Sequence, residues 1–279
     1  MSRLRCYFNW LALEGLLPLQ GGPVAAIRRA GYDGIQFIDP LNSAALAEAR
    51  AAGLGTCGSS RVNGPEEADA IARAAADEGL ECLTLHVGWG MESDDKGARL
   101  IEAILGAALK HRVPLYVETH RATLFQDMQR TVEFVGRFPE LRFNGDFSHW
   151  YTGQEMVYGG FEKKLAFIQP VIERVRFVHG RIGNPGCMQV AILPHDSAPY
   201  VAHFRKMWTG CFLEYLREPR PEQPFITFTS ELLAPEIFYA RRFNDKEESD
   251  RWQQSLLLAQ IAKECFEEAQ IAVASKELD

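Results

Sequence analysis

The stretch CLTLHVGWGMESDDKGARLIEAILGAALKHRVPLYVE, residues 82–118, contains two short apolar runs separated by one long amphipathic segment. The runs at 82–87 and 115–118 are rich in leucine, aromatic and β-branched residues, which is typical of strands. Residues 95–110 repeat apolar positions at helical spacing. A strand, a helix and a second strand in this order predict two parallel strands joined by a crossover helix.

The same alternation continues in both directions from this unit. It predicts eight strands, at residues 4–9, 34–38, 53–58, 82–87, 115–118, 141–146, 176–179 and 225–229. It also predicts eight helices, at residues 23–30, 43–52, 66–78, 95–110, 125–138, 161–174, 201–217 and 246–272. Eight such units close a (β/α)8 TIM barrel, so we expect one barrel domain over residues 1–279. An open doubly wound sheet is the alternative, but no strand is followed by the GxGxxG turn of a dinucleotide site.

Composition limits the classes of partner and location. The 279 residues are 47% hydrophobic, which is enough for one large core, and the net charge of −7 comes from interspersed acidic and basic residues. No cationic stripe suggests a nucleic-acid partner. No signal peptide or membrane span is visible, so we expect a cytoplasmic protein with no membrane partner. The six cysteines lack CxxC pairs and are expected to be reduced. Apolar residues on more than one face of the last helix suggest a homodimer or homotetramer.

Active sites of such barrels lie at the carboxyl ends of the strands. The residues at the predicted strand ends are unusually polar: Asn9, Ser59, His86, Glu118, Asp146, His179 and Glu231. In strand eight the period-two pattern puts Thr227, Thr229 and Glu231 on one side. If these sides face the axis, the charged tips meet at the mouth of the barrel.

A bound cation would explain such a meeting. Glu118, Asp146, Glu231 and His179 would repel one another in mutual contact unless a positive charge joined them. Oxygen ligands with one nitrogen suit Mn²⁺, Mg²⁺ or Co²⁺, and Zn²⁺ is possible. The strand ends therefore predict a site for one divalent metal ion.

Four segments carry a family resemblance: PLYVE118TH, NGD146FSH149, FVH179GR181 and TSE231. They resemble the xylose isomerase-like barrel superfamily, specifically its sugar phosphate isomerase/epimerase and ketose 3-epimerase members. The segment AGYDGIQF also fits, although Gln36 stands where that family often has glutamate. The resemblance implies that Glu118, Asp146, His179 and Glu231 bind one divalent metal ion. It also implies that His149 and Arg181 contact substrate oxygens.

The chemistry of these groups favours an isomerase or epimerase of a ketose or a related small polyol or keto acid. A cation that chelates the carbonyl and an adjacent hydroxyl acidifies the C–H bond between them and stabilises an enediolate. Glu118 and Glu231, on non-adjacent strands, would act as the acid/base pair. Return of the proton to the opposite face gives an epimer, and return to the neighbouring carbon gives an aldose. Loss of a β-hydroxyl gives dehydration, as in an inosose-type dehydratase.

Several residues near the mouth are further candidates. His86 ends strand four, and Trp10, one of three tryptophans that follow strand ends, offers a flat face to a sugar; both are expected to contact substrate. His120 and Arg121, just past Glu118, are expected to order that loop. The loop at 181–198 is too long for a minimal turn and is expected to be a lid or a subunit contact.

Two other functions remain open from the sequence. An endonuclease-IV-like phosphodiesterase would need a histidine at the end of strand three, where Cys57 and Ser59 stand, and an Asp-x-His pair after His179, where the sequence has Gly-Arg-Ile-Gly. A non-catalytic sugar-binding barrel would be favoured if the four ligand positions failed to hold metal.

Overall fold

A computed structural model describes residues 2–16, 19–38, 41–219 and 223–276. Eight parallel strands form a closed barrel, in which each strand pairs with the next in sequence and the eighth pairs with the first. The strands are β1 Arg3–Asn9, β2 Gly34–Ile38, β3 Gly55–Val62, β4 Leu83–Val87, β5 Leu115–Glu118, β6 Phe143–Gly145, β7 Val175–Gly180 and β8 Phe225–Ser230. The (β/α)8 barrel prediction is confirmed, and the open-sheet alternative is wrong.

Ten α-helices formed by the described residues surround or cap the barrel. They are α1 Pro23–Arg29, α2 Ser43–Ala51, α3 Pro65–Asp77, α4 Asp94–His111, α5 Met128–Arg137, α6 Phe147–Gly153, α7 Phe161–Phe167, α8 Gln169–Ile172, α9 Pro199–Arg217 and α10 Arg251–Lys276. Local sequence explains where several of them begin. The side chains of Asn42, Ser93 and Asp127 accept hydrogen bonds from backbone N–H groups in the first turns of α2, α4 and α5. Proline opens α1, α3 and α9, where its missing N–H costs nothing.

The third strand ends later than predicted. The pattern at 53–58 stopped at polar residues, but pairing with β4 continues from Gly58 opposite Leu83 to Val62 opposite Val87. Backbone hydrogen bonds to a neighbouring strand therefore overrode the polar side chains. As a result Ser59 lies within the strand, and Arg61 is nearer to its carboxyl end.

Two predicted helices also differ. The helix expected at 161–174 is divided into α7 and α8 around Ile168, because Pro170 has no N–H to donate and disfavours helical geometry before it. The helix expected from residue 246 starts at Arg251. The preceding residues form a short hairpin of β9 Arg242–Phe243 and β10 Lys246–Glu247, whose turn needs positive φ at both central residues.

Alternate strands fill the barrel interior in layers. A buried layer of Tyr7, Cys57, Tyr116 and Phe177 comes from β1, β3, β5 and β7, with Cys82 beside it. Successive inward side chains on one strand are two residues apart. Residues two positions further along β5 and β7 therefore stand one layer nearer the mouth, on top of this apolar floor.

The outer helices use most of their apolar surface within the chain. Helix α10 packs against α9 and buries Leu258, Ile261, Ala262 and Cys265. Oligomer formation through α10 stays a prediction. All six cysteines are free thiols, and Cys187 is the one that is partly exposed. Within the described residues, no helix is both long enough and apolar enough to cross a membrane.

The floor of the barrel should tolerate no side chain at Gly34. A Cβ atom there would overlap the Tyr7 ring and lie 2.6 Å from the carbonyl oxygen of Gly55. We expect Gly34→Ala to lower the free energy of unfolding by about 1–3 kcal/mol, measured by urea denaturation. Gly106→Ala is the matched control, because Gly106 has open space around it inside α4 and alanine there should stabilise by up to about 1 kcal/mol. Equal stability of Gly34→Ala and wild type would contradict the packing around Tyr7.

Candidate active site

Four side chains from the last four strands meet at the mouth of the barrel. Glu118 ends β5, Asp146 directly follows β6 and caps α6, His179 lies in β7, and Glu231 directly follows β8. One ligand atom from each lies within 4.8 Å of those of the other three. All four are buried, and Glu231, at 8% exposure, is the most open. This buried cluster of acidic and histidine side chains fits a divalent metal site.

Hydrogen bonds orient the His179 ring toward the carboxylates. Its Nε2 atom lies 2.9 Å from Oε1 of Gln36, while Nε2 of Gln36 donates to Oγ1 of Thr84 at 3.1 Å. Oε1 of Gln36 therefore accepts from His179 Nε2–H. Nδ1 of His179 then faces Oε1 of Glu118 and Oε2 of Glu231, each 3.4 Å away. A histidine that ligates metal commonly donates its other N–H to a carbonyl in this way.

Two atoms of the cluster lack a hydrogen-bond partner among the described residues. They are Nδ1 of His179 and Oε1 of Glu118, both buried. A nitrogen lone pair that faces carboxylate oxygens is repelled unless a proton or a cation stands between them. Both orphaned atoms are therefore accounted for if a cation binds at this point.

Arg181 sets the charge balance of the cluster. Its fully buried guanidinium contacts the Asp146 carboxylate and lies 3.0 Å from Oε2 of Glu231. The three carboxylates and this guanidinium leave two negative charges, which one divalent ion balances while His179 stays neutral. Carboxylate oxygens with one imidazole nitrogen suit hard ions such as Mg²⁺ and Mn²⁺.

The pKa values of the cluster without an ion show the same need for positive charge. Burial raises the pKa of Glu118, but the charges of His179 and His86 outweigh it and hold that pKa well below its usual range. Burial lowers the pKa of His179, but Glu231 and Glu118 raise it to about 9. Burial dominates at Glu231 and raises its pKa, although His179 opposes the change. Without a bound ion, the His179 ring is therefore protonated at neutral pH.

Three neighbouring donors, two side-chain amides and one backbone N–H, hold the carboxylates in place. Nδ2 of Asn144 donates to Oε2 of Glu118 at 3.0 Å, and the backbone N–H of Ser148 donates to Oδ1 of Asp146 at 3.0 Å. Nδ2 of Asn9 lies 3.4 Å from Oε1 of Glu231. Each carboxylate thus has one oxygen tied to the scaffold, while Oε1 of Glu118 and Oε2 of Glu231 face His179 Nδ1.

His149 and Arg181 lie directly beside the cluster. Nε2 of His149 is 3.3 Å from Oδ2 of Asp146 and 3.1 Å from Nη2 of Arg181. Arg181 also donates from Nε to Oγ of Ser148 at 3.0 Å, and its guanidinium lies 4.6 Å from the ring centre of Tyr239. Nδ1 of His149 and Nη1 of Arg181 have no hydrogen-bond partner in the described part of the chain. These two atoms are therefore candidates to bind oxygens of a ligand.

The other two predicted substrate contacts have different surroundings. Nε2 of His86 lies 3.4 Å from Oε1 of Glu118, and the His86 side chain is 27% exposed, so it stands at the edge of the cluster. Trp10 lies in a short 3-10 turn after β1 and packs on the ring of Phe37 at 5.3 Å. The structure thus gives Trp10 a packing contact and places His86 next to a cluster carboxylate.

Sequence reasoning missed Arg61, and it expected His120 only to order a loop. Nη2 of Arg61 lies 3.3 Å from Nδ1 of His86. The His120 ring packs between those of His86 and His149, at 4.1 and 3.8 Å. Continuing the period-two pattern of strand three past Ser59 would have found Arg61.

His120 also belongs to a second group of close ligand atoms. His86, Glu118 and His120 bring such atoms within 4.8 Å of one another, and this group shares Glu118 with the first. Burial, with the neighbouring charges of His149 and His86, lowers the pKa of His120 to about 2, so its ring is neutral. Tyr239 was not predicted either, because it lies in the irregular loop after β8.

A cavity of about 520 Å³ opens beside His149 and Tyr239. Its walls come from α6, which follows β6, and from the segments that follow β5, β7 and β8. Residues 186–188 contribute one wall, so part of the long loop predicted at 181–198 lines this cavity. Whether that loop acts as a lid or a subunit contact stays a prediction.

Comparison with known proteins finds similarity in structure only. No known family's sequence profile and no curated protein sequence matches this chain. An L-ribulose 3-epimerase is 14% identical with a TM-score of 0.62, over 98% of this chain and 97% of that one. A D-tagatose 3-epimerase-like protein is 12% identical with a TM-score of 0.59, and the match covers 96% of this chain and 99% of that protein. The third is a xylose isomerase-like TIM barrel protein from Mycobacterium smegmatis in complex with magnesium. It is 12% identical with a TM-score of 0.57, and the match covers 95% of this chain and 98% of that protein.

At these identities the likeness is one of fold, and it extends over nearly the whole length of each chain. It agrees with the resemblance of the four sequence segments. The chain has the fold of the xylose isomerase-like TIM barrels.

Proposed function

We propose that this protein is a divalent-metal-dependent sugar isomerase or epimerase that moves a proton at a carbon next to the carbonyl of a ketose or a related small polyol or keto acid. The observation that carries the proposal is the placement of two buried glutamates. Glu118 and Glu231 come from β5 and β8, and one oxygen of each lies 3.4 Å from the same nitrogen of His179. Two potential proton carriers therefore flank one ligand position from different strands.

The four-ligand cluster supplies the electrophile when it holds its ion. Glu118, Asp146, His179 and Glu231 would hold one divalent cation, which polarises a carbonyl and makes the neighbouring C–H bond more acidic. The donor set favours Mg²⁺, Mn²⁺ or Co²⁺, with Zn²⁺ possible. The magnesium in one protein of similar fold supports this choice.

The proton transfers are assigned to the two glutamates. One takes the proton from the carbon beside the carbonyl, and the other returns a proton from its own side of the mouth. The sugar is an enediolate between the two steps, and the guanidinium of Arg181 balances part of its negative charge. Glu118 and Glu231 belong to strands separated by β6 and β7, so we expect them to face opposite sides of the carbon, and return of the proton to the opposite face then gives the epimer.

Arg181 and His149 would position the sugar. Nη1 of Arg181 and Nδ1 of His149 lie next to the cluster and have no hydrogen-bond partner among the described residues, so we expect both to bind substrate oxygens. His149 is neutral, because burial lowers its pKa more than Asp146 raises it. Its ring can therefore donate one hydrogen bond and accept another, while Arg181 only donates.

Epimerisation is the first outcome to test. Two proteins of similar fold are named as 3-epimerases, one for L-ribulose and one resembling the enzyme for D-tagatose. Return of the proton to the adjacent carbon would make the protein an aldose–ketose isomerase, and loss of a β-hydroxyl would make it a dehydratase. Product analysis separates these three reactions, because each gives a different product from the same deprotonated intermediate.

The acid/base pair predicts that Glu118→Gln and Glu231→Gln each lower the rate of epimerisation by about 10²- to 10⁴-fold. The assay follows solvent deuterium incorporation into a panel of ketoses by NMR, after the protein has been loaded with Mn²⁺, Mg²⁺, Co²⁺ or Zn²⁺ and its metal content measured. Glutamine keeps an oxygen ligand but cannot accept the proton. The variants are compared at saturating metal, so that a lower rate reflects lost proton transfer and not lost metal.

Glu102→Gln is the matched control, since Glu102 is exposed on α4 and should keep full activity. Absence of bound metal with every cation, together with absence of exchange into any ketose by the wild type, would overturn the proposal and favour a binding barrel.

The hydrogen bond from His179 to Gln36 yields a second prediction. Gln36→Met keeps the volume of the side chain but removes the carbonyl that fixes the imidazole, so the affinity for the divalent ion should fall about 10- to 100-fold. Calorimetric metal titration measures the affinity, and circular dichroism checks the fold. Gln253→Met, at an exposed position of α10, is the control and should bind metal as the wild type does. An unchanged affinity in folded Gln36→Met would show that Gln36 does not orient a metal ligand.

A further inference from the structure

The cavity lies beside the proposed reaction site. His149 and Tyr239 line it, and both belong to the surroundings of Arg181. A ligand that extends from His149 into this space would pass close to the Tyr239 ring. What the cavity binds thus decides which sugars the site accepts.

The charges that line the cavity all have one sign. Three arginines lie in its wall, Arg121, Arg241 and Arg242, and none of its described lining residues is acidic. The chain as a whole carries a net charge of −7, so this grouping runs against the average of the protein. Two of the arginines are neutralised from behind, Arg241 by Glu248 and Arg242 by Glu236.

Arg121 differs from the other two. It makes no ion pair with any residue that the structure describes, and its guanidinium lies 5.0 Å from the centre of the Tyr239 ring. This cation–π contact holds the charge at the cavity wall but leaves its N–H donors free. The five donors of a guanidinium match the oxygens of a phosphate or a carboxylate.

Tyr239 also sets an upper limit on the distance between this charge and Arg181. The guanidinium carbons of Arg181 and Arg121 lie 4.6 and 5.0 Å from the same ring centre. Their separation cannot exceed the sum of these two distances. An extended ketose with a terminal anionic group covers that span, with its carbonyl near the cluster and its charged end at Arg121.

We propose that the substrate carries an anionic group, a phosphate or a carboxylate, at the end remote from the carbonyl, and that Arg121 binds this group. The inference rests on the proposed function for the identity of the reacting end. Arg121 thus determines specificity and takes no part in the proton transfer. A neutral ketose would leave its guanidinium without an anionic partner in the cavity.

Equilibrium binding tests the anionic group without any turnover. Calorimetry compares sorbitol 6-phosphate, gluconate and sorbitol, none of which has a ketose carbonyl, on the full-length wild type, Arg121→Gln and Arg121→Lys. We expect the dissociation constant of at least one of the two anions to be lower than that of sorbitol by about tenfold or more. The preference should disappear in Arg121→Gln and persist in part in Arg121→Lys. The stronger of the two anions identifies phosphate or carboxylate.

Arg73→Gln is the matched control, because it removes the same charge from an exposed position on α3 and should keep the full preference. Inorganic phosphate that competes as strongly as sorbitol 6-phosphate would reveal an adventitious anion site and overturn the inference. Binding of sorbitol as tight as that of both anions, or a preference that survives in Arg121→Gln, would overturn it as well.

Kinetics separates this inference from the proposed function. Deuterium exchange into D-fructose 6-phosphate and D-fructose should show a lower KM for the phosphorylated ketose if phosphate is the anion, and Arg121→Gln should raise that KM while kcat is kept. A binding preference without exchange into any ketose would overturn the proposed function and leave the anion site standing. Exchange into neutral ketoses alone would overturn the anion site and leave the proposed function standing.

Discussion

Charge compensation in the buried mouth of the barrel is the constraint on which the rest of this structure depends. Glu118, Asp146 and Glu231 are removed from water, and burial of three carboxylates is unfavourable unless positive charge accompanies them. Arg181 supplies one such charge by contact with two of them. Two negative charges remain; a proton on His179 would balance one of them, whereas a divalent cation would balance both, so the cluster fits a divalent ion.

The layered interior of the barrel makes this arrangement precise. Tyr116 and Phe177 form part of a buried floor, and the next inward residues of their strands are Glu118 and His179. The backbone of a closed barrel holds such neighbours at fixed spacing, because every strand is hydrogen-bonded on both sides. Gln36, between floor and mouth, then fixes the ring of His179. Rigid strands thus carry the ligands, while the loops carry the surroundings.

Chemistry and specificity are divided between two parts of the same face. The strand ends hold the groups proposed to handle the metal ion and the protons, and the segments after β5–β8 line the cavity that is proposed to receive the far end of the ligand. Tyr239 connects the two, since its ring lies against Arg181 on one side of the site and contacts Arg121 at the cavity wall. Changes in these loops can therefore alter which ligand is accepted without disturbing the four-ligand cluster.

The repeated strand–helix pattern by itself determined the barrel, since eight crossover units have few other ways to bury their apolar faces. The polar residues at the strand ends indicated the site residues Glu118, Asp146, His179 and Glu231. Period-two alternation is local, so the sequence also showed which residues of a strand share a side. Only the tertiary structure decided the end of β3, because hydrogen bonds to β4 extend it past the polar residues at which the apolar pattern ends. The contact of Arg181 with Asp146 and the position of Tyr239 over Arg181 likewise depend on pairs of residues far apart in sequence or on irregular loops. No periodic pattern in the sequence predicts such contacts, because loop conformation and long-range packing arise only when the barrel closes.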